Sequence, residues 1–412
     1  MKKRIVVFAV AMGCLLATRL VVMTATPLFE PSEARYAAIS ANMARTGDFL
    51  VPRFTHKGTY QPFAGKPPLV FQASGALCRL FGVCEFAVRL VPFLSFVSLL
   101  ALLFVVVRRL ADAEAGMLAA GICATSVALY ATAGFCMTDT TLALCSSGAL
   151  LLYLRLRTGS EQPSLRSVVG IATLLGLGML VKGPVALALF GLPVVADAAI
   201  NRKWKLILSI RWLLGILIFV AISAPWFCMM ENAQPGFIRY FFINENLLRF
   251  LVHDYGDMYG SGRETFRGMA LIWALVVTLP WSLFALSRPR CMGLNALRTS
   301  FPLLASAVIT AFWCLTSRVP IAYLLPVVPL FSAHLALYVA RGESCRSKAW
   351  RIFPFATAAA ATILVAALAI VLMASPKRMP GESAKPMPHK SRYSYEFYNG
   401  PWGQGAPEEF AK

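Results

Sequence analysis

The stretch FAVRLVPFLSFVSLLALLFVVVRR, residues 86–109, decides the fold class of this chain. Its apolar run from 86 to 107 is long enough to cross a bilayer core, which takes about 20 apolar residues in a helix. Arg108 and Arg109 follow at once, as basic residues do where a span ends on the cytoplasmic side. A long apolar run with a basic end predicts a membrane-spanning helix.

The same pattern recurs along the 412 residues, of which 58% are hydrophobic and 14% charged. Soluble domains carry about 25% charged residues, so this composition excludes an ordinary soluble protein. We expect an all-α polytopic membrane protein whose transmembrane domain covers 1–374, with a short tail at 375–412. The predicted spans, eleven in number, lie near 5–24, 86–107, 113–133, 140–157, 166–181, 184–200, 206–227, 267–287, 299–316, 320–340 and 351–374.

A formal net charge of +20 suggests either nucleic-acid binding or basic cytoplasmic loops. The basic residues favour the second explanation. If the short apolar segment 68–82 is juxtamembrane and does not cross, every basic loop falls on the side of the N-terminus, as the positive-inside bias requires. The N-terminus is then cytoplasmic, the tail is outside, and no nucleic-acid partner is expected.

This threading places two long loops outside the membrane, residues 25–85 and 228–266, and most of the unusual polar residues lie there. Ser32 as an N-cap and Gly47 as the residue after the helix predict a short helix over 33–46. Its apolar face is typical of a helix that lies in the membrane interface.

Three charged residues near the start of this helix are candidates for chemistry. Glu33 is also explained as a first-turn acid that stabilises the helix dipole, whereas Glu30 lies before the helix and has no such explanation. Arg35 either holds a phosphate or pairs with an acid. Lys66 precedes two prolines that stiffen the backbone, and it either extends toward the interface or binds an anionic headgroup.

Several motifs, in their order along the chain, resemble the dolichyl-phosphate-mannose protein mannosyltransferase superfamily, with its bacterial 4-amino-4-deoxy-L-arabinose lipid A transferases as the nearest branch. The motifs of the first loop are Glu33-Ala34-Arg35-Tyr36-Ala37, Gly47-Asp48-Phe49 and Lys66-Pro67-Pro68-Leu69. Later ones are Asp139 in Met-Thr-Asp-Thr-Thr, Val181-Lys182-Gly183-Pro184, Asn244-Glu245-Asn246 with Arg249-Phe250, and Ser317-Arg318.

The resemblance implies a GT-C fold in a bacterial inner membrane and an undecaprenyl-phosphate-type sugar donor. The acceptor would be a lipid A-type glycolipid or a protein at the periplasmic face. Glu30 or Glu33 would be the catalytic base, and Asp139 a second acid. The predicted substrate-binding residues are Arg35, Tyr36, Lys66, Lys182, Glu245, Arg249 and Arg318. Arg249 is also explained by pairing with Glu245 one turn away. A divalent cation is left open, because carboxylates serve both as metal ligands and as bases.

Two departures from the family pattern bear on activity. Ser32 stands where the family often has an aspartate, and a hydroxyl cannot replace a carboxylate as a base at neutral pH. The tail at 375–412 stands where related transferases often carry a folded domain, which suggests a lost or truncated one. The alternatives are therefore a catalytically inactive relative, a protein O-mannosyltransferase, and a transporter of lipid-linked sugars, which the nearly charge-free spans disfavour.

Overall fold

The computed structural model describes residues 2–29, 31–56, 59–159, 162–252, 264–287 and 289–341, together with 363, 367, 396 and 397. The span predicted at 351–374 and the tail lie almost wholly outside these residues. So does Glu30, the first predicted catalytic acid.

The first half of the chain contains two strands among its helices. The elements are α1 (Lys2–Ala25), α2 (Ser32–Thr46), β1 (Arg53–His56), β2 (Thr59–Pro62), α3 (Leu69–Phe81), α4 (Glu85–Leu110), α5 (Ala113–Ala124), α6 (Val127–Thr132), α7 (Asp139–Arg157), α8 (Leu165–Lys182) and α9 (Val185–Asn201).

The elements of the second half, in its described part, are all helices. The elements are α10 (Trp204–Ile207), α11 (Trp212–Ala233), α12 (Phe237–Arg239), a π-helix (Tyr240–Leu248), α13 (Arg249–Leu251), α14 (Met269–Val277), α15 (Trp281–Leu286), α16 (Pro289–Met292), α17 (Leu294–Thr299), α18 (Phe301–Cys314), a 3₁₀ helix (Ile321–Leu324) and α19 (Val327–Arg341).

The predicted membrane spans between residues 5 and 340 correspond to helices of this bundle. Four described helices, α1, α4, α8 and α11, are long and apolar enough to cross a membrane. Helix α3 has 13 residues, too few for the ~20 that a bilayer core takes, in agreement with a juxtamembrane segment at 68–82. The total of eleven spans stays a prediction.

Two predicted spans, 113–133 and 267–287, are each broken into two shorter helices. The breaks lie next to each other and exchange hydrogen bonds: Val127 N–H donates to the Leu279 carbonyl over 3.1 Å, and the Trp281 indole donates to the Thr125 hydroxyl over 2.9 Å. Backbone groups freed inside a membrane need partners within the protein, and each break supplies partners to the other.

The core lies between α4, α5, α7 and α19, with α8, α9 and α18 packed around it. A second cluster lies beside the bundle, where α2, the hairpin and α3 pack on the start of α4. Strand β1 pairs with β2 antiparallel, with Arg53 opposite Pro62. We did not expect this hairpin from the sequence.

Two expectations about local structure were wrong. Helix α2 begins at Ser32 itself, with Pro31 in the capping position and no side-chain cap, whereas Gly47 does end the helix with a positive φ of 80°. The spans also hold more charge than expected, because Arg19 in α1 and Arg89 in α4 are both buried.

Candidate functional site

A buried salt bridge joins Glu33, in the first turn of α2, to Arg89 in α4. The Arg89 Nε lies 2.7 Å from Glu33 Oε1, and its Nη2 lies 3.0 Å from Oε2. The same two oxygens accept the backbone N–H groups of Phe29 and Cys136 over 2.9 and 3.0 Å. Each carboxylate oxygen of Glu33 therefore has two donors, which satisfies its lone pairs.

The other donors of Arg89 cap the end of α1. They bond to the carbonyl oxygens of Met23, Thr26 and Pro27 over 2.7 to 2.9 Å. The last carbonyls of a helix lack partners within it, so Arg89 supplies what α1 needs. We call the Glu33–Arg89 pair the clamp, because it joins α1, α2, α4 and the segment before α7. This geometry disfavours Glu33 as the catalytic base.

A second buried salt bridge joins Asp139, the first residue of α7, to Lys182, the last residue of α8. The Lys182 Nζ lies 2.5 Å from Asp139 Oδ1, and both side chains are about 95% buried. The ammonium also lies 3.9 Å from the centre of the Tyr323 ring, which adds a cation–π attraction. Both residues were predicted site residues, and the structure brings them into direct contact.

Gly183 lets the chain turn sharply directly after Lys182. Its φ is 78°, a conformation that L side chains rarely adopt. A Cβ placed there would lie 2.5 Å from the Phe241 ring. The turn thus sets the end of α8 directly against the π-helix.

The π-helix carries Glu245, which holds two cations. Lys66 Nζ and Arg249 Nη1 each lie 2.6 Å from Glu245 Oε1. The Arg249–Glu245 pair that the sequence spacing suggests is present, but it continues to Lys66 across the site. A carboxylate shared by two cations sets them side by side.

Lys66 is held from both sides. Its ammonium also donates to the Gly65 carbonyl over 2.7 Å. Burial lowers the pKa of Lys66, but Glu245 together with Tyr36 and Tyr323 more than offsets this, so the pKa lies above its ordinary value. Lys66 is therefore a cation at neutral pH, as binding of an anion requires.

A fourth cation, Arg318, comes from the segment after α18. Its side chain is 7% exposed, and its Nε donates to Glu264 Oε1 over 2.9 Å. The backbone nearby is tied down as well, because Thr265 N–H donates to the Ser317 carbonyl over 2.7 Å. Arg318 is thus fixed in place by the stretch that precedes α14.

These four cations meet around one cavity of about 380 Å³, which we call the cationic cavity. Its polar residues are Lys66, Lys182, Glu245, Asn246, Arg249, Thr316 and Arg318. Its apolar wall includes five aromatic residues, Phe242, Phe250, Phe312, Trp313 and Tyr323. Such a cavity can hold a compact anion at one end and an apolar chain along the other.

A second cavity, of about 210 Å³, lies on the other side of the Asp139–Lys182 pair, and we call it the acidic cavity. Ser32, Glu33 and Asp139 line it, together with Phe29, Phe135 and Met137. The clamp already satisfies the hydrogen-bonding capacity of Glu33. Asp139, by contrast, has one described partner, Lys182, which lines the neighbouring cationic cavity.

The predicted residues thus fall into three groups. Lys66, Lys182, Glu245, Arg249 and Arg318 line the cationic cavity, and Glu33 and Asp139 line the acidic one. Arg35 and Tyr36 line neither: the Arg35 guanidinium lies 5.7 Å from the Tyr36 ring and 5.6 Å from the Phe63 ring. Glu30 lies outside the described residues.

Sequence reasoning missed Arg89 and Arg19. Both are arginines inside apolar runs, which is itself a signal, since a charge at membrane depth is costly and needs a partner. Arg19 bonds to the Ala131 carbonyl and packs against the Phe135 ring. It therefore supports the same segment before α7 that the clamp holds.

The described carboxylates do not fit a divalent cation. Glu33 is fully bonded within the clamp, and Oδ1 of Asp139 is held by the Lys182 ammonium, so these two acids do not offer the several open oxygens that a hard cation takes. Among the residues described, no group of three or more His, Cys, Asp or Glu side chains could hold a metal ion. We therefore derive no step through a metal.

Comparison with known proteins agrees with this picture. Residues 65–228 match the family described as dolichyl-phosphate-mannose-protein mannosyltransferase. An undecaprenyl phosphate-alpha-4-amino-4-deoxy-L-arabinose arabinosyl transferase of Edwardsiella ictaluri (strain 93-146) is 31% identical over 228 residues, which cover 54% of this chain and 40% of the relative. The corresponding transferase 1 of Sodalis glossinidius is 28% identical over 342 residues, covering 80% and 58%. The chain spans about half the length of these relatives.

The fold is that of a solved structure. The crystal structure of ArnT from Cupriavidus metallidurans bound to undecaprenyl phosphate matches with a TM-score of 0.71 at 23% identity, covering 89% of this chain and 70% of that one. The expected GT-C fold is thereby confirmed, and the match of residues 65–228 to the mannosyltransferase family agrees with the resemblance seen in the motifs. Together with its four long apolar helices, this makes the chain a multi-pass membrane protein.

Proposed function

We propose that this chain is a membrane glycosyltransferase that moves a sugar from an undecaprenyl-phosphate-type carrier to an acceptor hydroxyl. The acceptor is a lipid A-type glycolipid or another periplasmic molecule, and the site faces the periplasm. The carrier is the one for which the related transferases are named, and the acceptor and the orientation are inferred from the motif resemblance and the basic loops.

The observation that carries the proposal is the cationic cavity. A polyprenyl-phosphate sugar has a phosphate, a sugar and a long apolar chain, and the cavity offers four cations beside an aromatic wall. Preorganised cations near a leaving phosphate stabilise the charge that grows on it in the transition state. A transporter is expected to have polar residues deep within its spans, whereas the charges of this site lie at one end of the bundle.

The chemistry divides between the two cavities. The acceptor hydroxyl attacks the anomeric carbon, the bond from that carbon to the phosphate oxygen breaks, and the phosphate leaves with the electron pair. Lys66, Arg249 and Arg318 receive the growing negative charge. The hydroxyl proton goes to a carboxylate, for which we propose Asp139 or Glu30. Glu33 acts through the clamp, as a positioning residue.

The test is transfer in proteoliposomes, with a panel of radiolabelled undecaprenyl-phosphate sugars and total bacterial lipid as acceptor. Wild type should transfer one of the sugars. Asp139→Asn or Glu30→Gln should lower kcat by about 100-fold or more, as loss of a general base does. Asp197→Asn is the matched control, because Asp197 is a buried acid paired with Arg157 and lines neither cavity.

A second candidate, a carrier-binding relative without transferase activity, is favoured by one observation. Ser32 stands where an acid is common in the family, and the neighbouring Glu33 is fully bonded. Wild type that binds undecaprenyl phosphate but transfers no sugar from any donor would establish this candidate and contradict the first. Wild type that neither binds the carrier nor transfers a sugar would contradict both.

A further inference from the structure

The Asp139–Lys182 pair stands between the two cavities. Lys182 lines the cationic cavity and Asp139 lines the acidic cavity. The ion pair, 2.5 Å long, is therefore part of the wall that separates the proposed phosphate from the proposed acceptor. No other described ion pair has one partner on each cavity.

The ammonium of Lys182 can bond either to Asp139 or to a phosphate in the cationic cavity. In this structure the ammonium bonds to Asp139 and lies over the Tyr323 ring. A phosphate in the cationic cavity would be a singly or doubly charged competitor at short range for an ammonium that is itself buried. Charge-assisted hydrogen bonds are strong there, so a bond to phosphate weakens the bond to Asp139.

Lys66 and Arg249 differ from Lys182 in this respect. Their common partner, Glu245, lines the same cavity as they do. A phosphate that bonds to Lys66 or Arg249 therefore affects a carboxylate of that cavity only. A phosphate that bonds to Lys182 also weakens the ion pair of Asp139, which lines the acidic cavity.

We propose that Lys182 couples binding of the donor to the availability of the Asp139 carboxylate as a proton acceptor; this proposal rests on the proposed function. With no donor bound, Lys182 holds Asp139 and occupies the oxygen that would take the acceptor's proton. When the donor phosphate enters, Lys182 turns toward it, and Asp139 is freed to bind the acceptor hydroxyl. Asp139 thus stays paired with Lys182 until the donor is bound.

Thermodynamic linkage predicts whether a substitution at Asp139 raises or lowers the Kd for the carrier. If Asp139 and phosphate compete for Lys182, removing the charge of Asp139 strengthens phosphate binding, just as phosphate weakens the hold on Asp139. We expect Asp139→Asn to lower the Kd for undecaprenyl phosphate by about 3- to 10-fold. Lys182→Met should raise it by a similar factor. Asp197→Asn, whose partner Arg157 lines neither cavity, should leave it unchanged.

A second measurement separates competition from charge acting at a distance. Infrared difference spectra of wild type, with and without undecaprenyl phosphate, should show a carboxylate band change as Asp139 loses its ammonium partner. The change should vanish in Asp139→Asn and in Lys182→Met. Undecaprenol, which lacks the phosphate, should produce none.

The outcomes are distinct. Tighter binding by Asp139→Asn together with the band change supports the coupling. Unchanged or weaker binding by Asp139→Asn overturns it, and so does tighter binding without a band change in wild type. Absence of undecaprenyl phosphate binding by wild type contradicts the proposed function, and the coupling with it.

Discussion

The clamp and the Asp139–Lys182 pair are both buried salt bridges near one end of the bundle, yet their surroundings differ. In the clamp, Arg89 uses all five donors and Glu33 receives four hydrogen bonds. In the second pair, each partner lines a cavity. Glu33 also borders the acidic cavity, but its bonding is complete and it serves structure, whereas Asp139 borders the same cavity with one described partner and can serve a ligand.

The largest expected effect comes from breaking the clamp. Arg89→Met leaves Glu33 buried without its counter-charge, and removal of one partner of a buried ion pair costs about 3–5 kcal/mol. We expect a loss of folding stability of that size, measured by thermal unfolding in detergent.

Two controls test the cause of this loss. The double variant Glu33→Gln/Arg89→Met should recover part of the stability, because no buried charge is then left alone. Arg79→Met removes an exposed arginine that bonds to one carbonyl, that of Ala44, and should change stability by less than about 0.5 kcal/mol. Equal losses for Arg89→Met and Arg79→Met would refute the structural role of the clamp.

The turn at Gly183 joins the second pair to the π-helix. Gly183→Ala adds backbone strain of about 1–3 kcal/mol at a positive φ and forces Phe241 to move, which adds about 1–3 kcal/mol of overpacking. Gly82→Ala is the matched control, because its φ of 81° is similar and nothing lies within 4 Å of its added Cβ. Thermal unfolding of both should show a larger loss for Gly183→Ala, and an equal loss would rule out the contact with Phe241 as a cause.

Lys66 tests the cavity side of the comparison. Lys66→Met should weaken undecaprenyl phosphate binding by about 10-fold, equivalent to 1.4 kcal/mol, because a desolvated cation is lost. Glu245 keeps Arg249 as a partner, so unfolding should change less than it does for Arg89→Met. Lys66→Arg, which keeps the charge, should retain part of the affinity. A Lys66→Met variant that binds the carrier like wild type would remove Lys66 from the site.

How far sequence alone leads differs between the same two regions. Lys66, Lys182 and Arg318 could be named because each lies in a short motif. Lys66 precedes the juxtamembrane segment and the other two lie at ends of predicted spans, so the predicted threading places all three on one side of the membrane. Arg89 could not, because its role depends on carbonyls at the end of α1 and on a carboxylate 56 residues away. The broken spans escaped for a similar reason, since the groups that bond to each break are distant in the chain.

Another buried carboxylate, Glu396, is intermediate between the clamp and the Asp139–Lys182 pair. It accepts hydrogen bonds from the Asn42 amide over 2.7 Å and from the Thr55 N–H over 3.0 Å, and Arg45 donates to its backbone carbonyl over 3.1 Å. The neighbouring Phe397 is fully buried in the cluster of α2 and the hairpin. Glu396 thus has neutral donors to its carboxylate, where Glu33 has an arginine.

The smallest expected effect follows from this difference. Burial raises the pKa of Glu396 above its ordinary value, despite the hydrogen bonds from Thr55 and Asn42 that lower it. A raised pKa means that the contact is strongest below the ordinary value of 4.5 and weakens as pH rises through the raised one. Protection of the tail from protease, measured from pH 4 upward, should therefore fall with pH in wild type. It should stay nearly constant in Glu396→Gln, whose amide does not titrate, and a parallel fall in both would assign the change to another group.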